Sequence, residues 1–236
     1  MKQRQDSTDT PPQQAPTSSV KLIGALGTIA LLSGVLVVSV VEGTRDAIEQ
    51  NHRIALERAV FEVIPGAEQQ DAYVVTADGL LAAAKTSVDG PRIYAGYAAN
   101  GELQGVAIEA SGRGYEGEIR LLYGYQRSTA RIVGMTILES RETPGLGDRI
   151  ETDEKFRASF EDLAARLDDQ GQGLANKIVT VSPGEADKPG EIDGITGATV
   201  SAEAVGKIIN NSANELLPRI VPHWAEMERG GDGLQE

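Results

Sequence analysis

An uninterrupted stretch of twenty uncharged residues, 22–41, constrains this chain more than any other feature of its sequence. A helix of that length rises about 30 Å, which is the thickness of the hydrocarbon core of a bilayer. The stretch exceeds the roughly 7–15 apolar residues of a signal peptide and runs directly into a charged segment. It also lacks the polar face of a buried soluble helix. We therefore predict a retained transmembrane helix at residues 20–42.

The sequence on either side of this predicted anchor leaves its orientation open. Residues 1–19 are polar and rich in Pro, Gln, Ser and Thr, so we expect a disordered cytoplasmic tail. Three basic residues precede the span and three follow it at similar distance, so the positive-inside rule does not decide the orientation. The short tail and the long downstream segment favour a tail inside and a domain outside.

Residues 43–222 predict an α+β domain, an antiparallel sheet flanked by helices. Apolar residues at helical spacing fill residues 44–64, and Pro65-Gly66 ends that helix. Extended segments follow, and Asn100-Gly101 between two of them is a strong hairpin signal.

The second half of the domain predicts two more helices. One covers residues 153–167, and the other follows residue 198 with an apolar face that includes Val205 and Ile208. Pro218 and Pro222 are expected to end the last helix, which leaves residues 223–236 as a flexible tail.

Composition excludes several classes of function. The chain has no cysteine, so thiolate metal sites, iron–sulfur clusters and disulfides are ruled out. Its two histidines stand in no cluster with metal-ligand spacing, and we predict no metal site. The net charge of -13 argues against nucleic acid as a partner. Redox chemistry would therefore require a borrowed organic cofactor.

The small, hydroxyl-rich stretch DGITGATVS at residues 193–201 immediately precedes the last predicted helix. In one interpretation Thr199 or Ser201 caps that helix with its hydroxyl. In the other, the free N–H groups and the positive dipole end of the helix hold a phosphate. No Walker lysine follows, so a phosphate attached covalently to a hydroxyl is easier to hold here than a diffusible nucleotide. Turn chemistry alone leaves both interpretations open.

Two motifs in order give the chain a family resemblance. The sequence from Asp193 to Thr199, DGITGAT, resembles the flavinylation motif of FMN-binding domains, and ETPGLG at residues 142–147 resembles their second signature. Behind an anchor and a sheet, this order resembles the G subunit of the Rnf ion-translocating oxidoreductases. The C subunit of the sodium-translocating NADH:quinone reductases is the sister family.

The resemblance implies a specific chemistry. A flavin transferase, which reads a sequence that includes Asp193 and Gly194, would attach one FMN to Thr199 through a phosphoester. Glu142, Thr143 and Leu146 are expected to lie against the isoalloxazine. The full set of implied cofactor contacts is Thr196, Gly197, Ala198, Thr199, Val200, Ser201, Glu142, Thr143 and Leu146.

The same resemblance implies a cellular setting. The domain would face the periplasm from a bacterial inner membrane, with a single pass through the bilayer. Its partners would be the other membrane and peripheral subunits of an Rnf-type complex, which couples electron exchange between NADH and ferredoxin to the transport of sodium or protons. No catalytic residue is expected on this chain. The alternatives are a C-type subunit of the sodium-translocating reductase and a non-redox membrane-anchored adaptor.

Overall fold

The computed structural model of the protein describes residues 19–76, 79–86, 88 and 90–230. Almost all of the expected cytoplasmic tail, residues 1–18, lies outside this described part. The same holds for residues 231–236, at the end of the expected flexible tail.

The first helix, α1, runs from Ser19–Val63 without interruption. Its residues up to Asn51 form one compact unit, and the chain from His52 onward forms a second. The mean hydropathy of the apolar segment is 2.3, and this helix is long and apolar enough to cross a membrane. The helix ends just before Pro65-Gly66, as the sequence predicted, and Gly66 takes a positive φ of 84°.

A seven-stranded antiparallel sheet forms the middle of the second unit, in the order β2-β1-β3-β4-β5-β6-β7. The predicted hairpin joins β3 to β4, and Gly101 in its turn has a φ of 79°. The strands are β1 Gln69–Thr76, β2 Gly79–Ala82, β3 Arg92–Tyr97, β4 Leu103–Arg113, β5 Glu118–Gln126, β6 Arg131–Ser140 and β7 Leu163–Ala164.

Three helices and a small parallel strand pair complete the fold. The helices are α2 Glu154–Ala158, α3 Thr199–Ile220 and α4 Trp224–Gly230, and the strand pair is β8 Val179–Val181 and β9 Glu191–Asp193. The α+β class predicted from the sequence is confirmed.

The helix predicted over residues 153–167 is wrong in length. Asp153 caps α2 by accepting a hydrogen bond from the Phe156 N–H at 3.1 Å, but the helix ends after five residues. Phe156 and Phe160 are both buried and pack edge to face at a centroid distance of 5.1 Å. The apolar spacing that predicted a long helix therefore also fits a short helical turn. After this turn the chain enters β7 at the edge of the sheet.

The expected end of the last helix at Pro218 is wrong as well. Pro218 lies inside α3, where the burial of Leu217 and Ile220 against the core outweighs the lost backbone hydrogen bond. The segment from Trp224 to Gly230, expected to be flexible, forms α4. Trp224 is buried and meets Tyr125 edge on, with ring centroids 6.2 Å apart.

The sheet has apolar groups on both faces. The larger core lies between the sheet and α3, and it also receives Phe156, Phe160 and Trp224. On the opposite face, Val60 and Val63 at the end of α1, and Ile64 directly after it, are buried against the strands.

A row of glycines receives the end of α1 on that second face. A Cβ at Gly96 would lie 2.8 Å from Ile64 Cδ1, and one at Gly134 would lie 2.9 Å from Val63 Cα. A Cβ at Gly124 would collide with the Val63 carbonyl oxygen, and a Cβ at Gly105 would touch Ile64 Cγ2 at 3.2 Å. We call these four glycines, from β3, β4, β5 and β6, the glycine trough.

Candidate functional site

The turn before α3 presents a helix N terminus that no side chain caps. β9 ends at Asp193, Gly197 takes a φ of 84°, and α3 begins at Thr199. The N-cap residue is Ala198, and no side chain bonds to the free N–H groups of the first turn. The interpretation in which Thr199 or Ser201 caps this helix is therefore wrong. The N–H groups and the positive dipole end remain available to an anion.

The predicted cofactor contacts in this turn differ in their access to solvent. Thr196, Gly197, Thr199 and Val200 are exposed, and a Cβ at Gly197 would meet nothing within 4 Å. Ala198 is buried, so the turn is fixed to the core at one point. An incoming group can reach the Thr199 hydroxyl.

Asp193 and Gly194 shape the loop that precedes the turn. One carboxylate oxygen of Asp193 accepts hydrogen bonds from the N–H groups of Gly184 at 2.8 Å and Ala186 at 3.3 Å. The Gly194 N–H donates to the Val181 carbonyl at 3.0 Å, and a Cβ there would lie 2.5 Å from that oxygen. Both residues hold the folded loop, and their recognition by a flavin transferase stays a prediction.

The second motif forms a tight turn after β6. The Leu146 N–H donates to the Thr143 carbonyl at 3.1 Å, and Gly145 takes a φ of 78°, which glycine accommodates without strain. The Thr143 hydroxyl lies 3.4 Å from a carboxylate oxygen of Glu116. Leu146 is 55% exposed and presents an apolar surface to solvent.

Glu142 joins the two motifs from below the surface. Its Oε2 accepts a short hydrogen bond from the Ser201 hydroxyl, in the first turn of α3. Its Oε1 accepts from the backbone N–H groups of Glu116 at 3.1 Å and Gly117 at 3.4 Å. Glu142 is only 6% exposed, so its carboxylate is committed to these protein donors rather than open to a ligand.

A second connection, which the sequence did not predict, runs through Arg149. Its guanidinium donates to the Thr196 carbonyl at 2.6 Å and to the Asp153 carboxylate at 3.0 Å. Arg149 lies seven residues after Glu142 with no motif of its own, so only the fold reveals its contact with the turn. It also places a positive charge beside the turn that precedes α3.

The pKa of one carboxylate in the same segment is shifted from its ordinary value. Burial is the main cause that raises the pKa of Glu151 above its ordinary value, and the nearby charge of Asp148 raises it further. Asp148 itself has a buried carboxylate oxygen without a hydrogen-bond partner among the described residues. The loop that follows the second motif thus carries poorly solvated negative charge.

A groove of about 480 Å³ opens beside the first turn of α3. It lies between the second half of β4 and the exposed side of the helix, and its size falls within the range of small-molecule sites. The lining includes Val200, Gly112, Arg113 and Lys207. The turn thus has accessible space on its β4 side as well as beside Leu146. Among the described residues, no cluster of His, Asp and Glu with the geometry of a metal site occurs.

Comparison with known proteins agrees with this geometry. Residues 114–214, which include both motifs, match the family described as the FMN-binding domain. The G subunit of the ion-translocating oxidoreductase complex of Cereibacter sphaeroides is 30% identical over 210 residues, which cover 85% of this chain and 87% of that one. The corresponding protein of Shewanella baltica is 28% identical over 189 residues, with coverage of 79% and 84%.

Solved structures show the same fold at low sequence identity. NqrC of Shewanella oneidensis matches with a TM-score of 0.56 and 16% identity over 78% of this chain and 99% of that one. The C subunit of the Na(+)-translocating NADH-quinone reductase of Parabacteroides distasonis matches with a TM-score of 0.55 and 17% identity, covering 70% and 92%.

Proposed function

Because this chain belongs to the family of G subunits of ion-translocating oxidoreductase complexes, we propose that it is an electron carrier that holds FMN covalently on Thr199. It is a subunit of a membrane redox complex and contains an FMN-binding domain. We propose in addition that the domain faces the periplasm and serves electron exchange between NADH and ferredoxin, coupled to the transport of sodium or protons.

The observation that carries the proposal is the uncapped N terminus of α3 directly beside an exposed threonine hydroxyl. A phosphodiester on Thr199 would leave one negative charge at the positive end of a 22-residue helix, where it is stabilised by about 0.3–1 kcal/mol. Gly197 leaves open space on one side of the turn, and the free N–H groups supply donors. The residues present therefore suit a covalently held phosphate.

The neighbourhood of Thr199 offers the isoalloxazine two surfaces. Leu146 and the Thr143 hydroxyl offer one, on the side of the second motif, and this is the contact we expect. The groove beside Val200 offers the other. Bound FMN supplies electron-transfer chemistry that no side chain of this protein provides.

Glu142 and Ser201 take a supporting role in this proposal. Their buried hydrogen bond fixes the first turn of α3 against the second motif. Arg149 holds the carbonyl of Thr196, which precedes Thr199 in the turn. The chain is therefore fixed on both sides of the proposed attachment point. Preorganisation of this kind lets a site keep one geometry when its ligand is bound.

Other subunits and a flavin transferase are the partners implied by the proposal. The anchor places the chain in the bilayer, and the transferase would act on Thr199 during maturation. A non-redox adaptor, in which the turn merely starts a helix, is the competing function.

A denaturing gel distinguishes a covalent flavoprotein from a non-redox adaptor. The full-length chain, produced together with a flavin transferase, should show a fluorescent band under ultraviolet light that survives denaturation, and Thr199→Ala should lose it. Thr196→Ala is the matched control, because Thr196 is also an exposed threonine and lies three residues away. A dark wild-type band favours the adaptor, and fluorescence that persists in Thr199→Ala places the attachment elsewhere.

A further inference from the structure

A groove of about 520 Å³ at the β7 edge of the sheet has four basic side chains in an otherwise largely uncharged lining. Arg131, Arg166, Lys177 and Lys188 contribute to its walls, and Glu191 is its only carboxylate. We call it the basic groove. It stands out because the chain as a whole carries a net charge of -13.

Two of the four cations already have partners in the fold. Arg131 pairs with Asp162 at 3.0 Å, and Lys188 pairs with Glu191 at 2.7 Å. Arg166 and Lys177 are exposed and make no hydrogen bond or ion pair through their side chains to any residue that the structure describes. The unpaired positive charge of the groove therefore resides on these two side chains.

Arg166 and Lys177 lie on two neighbouring segments of the chain that both line the groove. The segments that carry them run antiparallel, with a β-bridge between Leu167 and Leu174 and a hydrogen bond from the Ala175 N–H to the Arg166 carbonyl at 2.8 Å. Both side chains line the basic groove, so its two unpaired positive charges face the same space. Two like charges in one groove repel each other, and an anion between them relieves that repulsion.

The walls of the basic groove are preformed by backbone hydrogen bonds. The Ala164 N–H donates to the Pro189 carbonyl at 2.7 Å, and the Val179 N–H donates to the Gly190 carbonyl at 3.1 Å. Asn176 donates from its side chain to the Ala164 carbonyl at 2.9 Å. A partner would therefore meet a fixed surface and need not order it.

We infer that the basic groove is the docking surface for an acidic segment of another subunit of the complex. Charge complementarity carries this inference: the groove is a positive surface on a strongly acidic chain, and such surfaces steer and align partners of opposite charge. It rests on membership of the complex alone and is independent of where FMN is attached. The carboxylates of the partner would lie between Arg166 and Lys177.

Reconstitution of the complex tests the inference. The detergent-solubilised full-length protein is added to complex purified from a strain that lacks it, and binding is measured at 0.05 M and 0.5 M NaCl. The double variant Arg166→Glu/Lys177→Glu should raise the apparent Kd by roughly tenfold at low salt and less than about twofold at high salt, since salt screens exposed charges.

The control carries the same change of charge elsewhere. Lys155→Glu/Arg229→Glu reverses two exposed cations outside the groove and should change the Kd by less than about twofold at either salt concentration. Equal effects of the two double variants, or no effect of either, would overturn the inference. A thermal melt of each variant verifies that the fold is intact.

A photo-reactive amino acid in place of Lys177 identifies what lies in the groove of the intact complex. Cross-links to an acidic segment of another subunit support the inference. Cross-links to lipid or to a second copy of this chain contradict it. In-gel flavin fluorescence on the same samples reports the proposed function separately, so either proposal can fail without the other.

Discussion

The Ser201 hydroxyl donates a hydrogen bond to the Glu142 carboxylate across 59 residues of sequence. In the part of the chain that the structure describes, these are the only buried polar side chains other than tyrosine and tryptophan. A buried carboxylate must satisfy its oxygens within the protein, and Glu142 does so with one hydroxyl and two backbone N–H groups. The two sequence motifs therefore form one structural unit.

Removing the Glu142 carboxylate should loosen this unit. Glu142→Ala leaves the Ser201 hydroxyl and two backbone donors without partners, which costs about 2–4 kcal/mol of folding stability. Tm should fall by roughly 4–16 °C in a calorimetric scan, and the flavin fluorescence per chain should decrease. Glu142→Gln keeps the shape and one acceptor, so we expect a smaller loss. A Tm unchanged in Glu142→Ala would contradict the structural role.

A substitution that adds a methyl group between the two motifs should likewise lower flavin incorporation. In Gly147→Ala, the new Cβ would lie 2.8 Å from Glu142 Oε2 and 2.9 Å from the Ser201 hydroxyl, so the hydrogen bond between them must shift. Gly145→Ala is the comparison, because its Cβ meets nothing and the only cost is its positive φ, about 1 kcal/mol. Flavin incorporation, measured by fluorescence per mole of chain, should fall in Gly147→Ala and stay near wild type in Gly145→Ala.

Arg149 should affect the turn more than the fold. Arg149→Ala removes the donor to the Thr196 carbonyl, and because the side chain is half-exposed we expect only about 0.5–1.5 kcal/mol of destabilisation. The turn at residues 194–198 should become more accessible, which hydrogen exchange of its amides can measure. Amides of the central strands β4 and β5 serve as the internal control. Faster exchange throughout the domain would mean that Arg149 supports the whole fold instead.

Asp71 should make the stability of the domain depend on pH. Burial raises the pKa of Asp71 above its ordinary value, so the folded state binds the proton more tightly than the unfolded state. The contribution of Asp71 to the free energy of unfolding is most favourable below about pH 3.9, the pKa of this group in the unfolded chain. The contribution is lost as the pH rises through the higher pKa of the folded state. Asp71→Asn should therefore raise Tm at pH 7 by roughly 1–2 °C and leave it unchanged at pH 3. A lower Tm for Asp71→Asn than for the wild type at pH 7 would show instead that the folded state stabilises the charged carboxylate.

The glycine trough gives a steric prediction. Gly124→Ala should be among the most damaging substitutions in the domain, since its Cβ would collide with the carbonyl oxygen of Val63, which the backbone fixes. We expect about 3 kcal/mol of destabilisation, at the upper end of the range for overpacked cores. Val63→Ala, which removes side-chain atoms from the same contact without a collision, should cost about 1–3 kcal/mol in a denaturant titration.

Local signals in the sequence were sufficient for much of the fold. The turn residues Asn100-Gly101 predicted a hairpin because a positive φ is required there, and Pro65-Gly66 ended α1 where expected. The start of α3 followed from the small residues before it. Each of these features depends on a few adjacent residues.

The features that sequence reasoning missed have other causes. The helix predicted over 153–167 was too long because its apolar spacing also suits a short turn. The segment that forms α4 was expected to be flexible, although Trp224 packs against Tyr125, which lies far away in the chain. The contact of Glu142 with the flavin stays a prediction, and the hydrogen bond of its carboxylate to Ser201 is a contact that the sequence did not reveal. Arg149 had no motif, and only the tertiary structure brings it to Thr196.

The glycine trough also sets an order of events during folding. It is built from β3, β4, β5 and β6, whereas the residues that fill it, Val63 and Ile64, precede all four strands in the chain. A chain synthesised from its N terminus must therefore hold these two side chains unburied until the β5–β6 hairpin has closed. Docking of the helix end is a late step, and burial of Val63 would report that β3, β4, β5 and β6 have assembled.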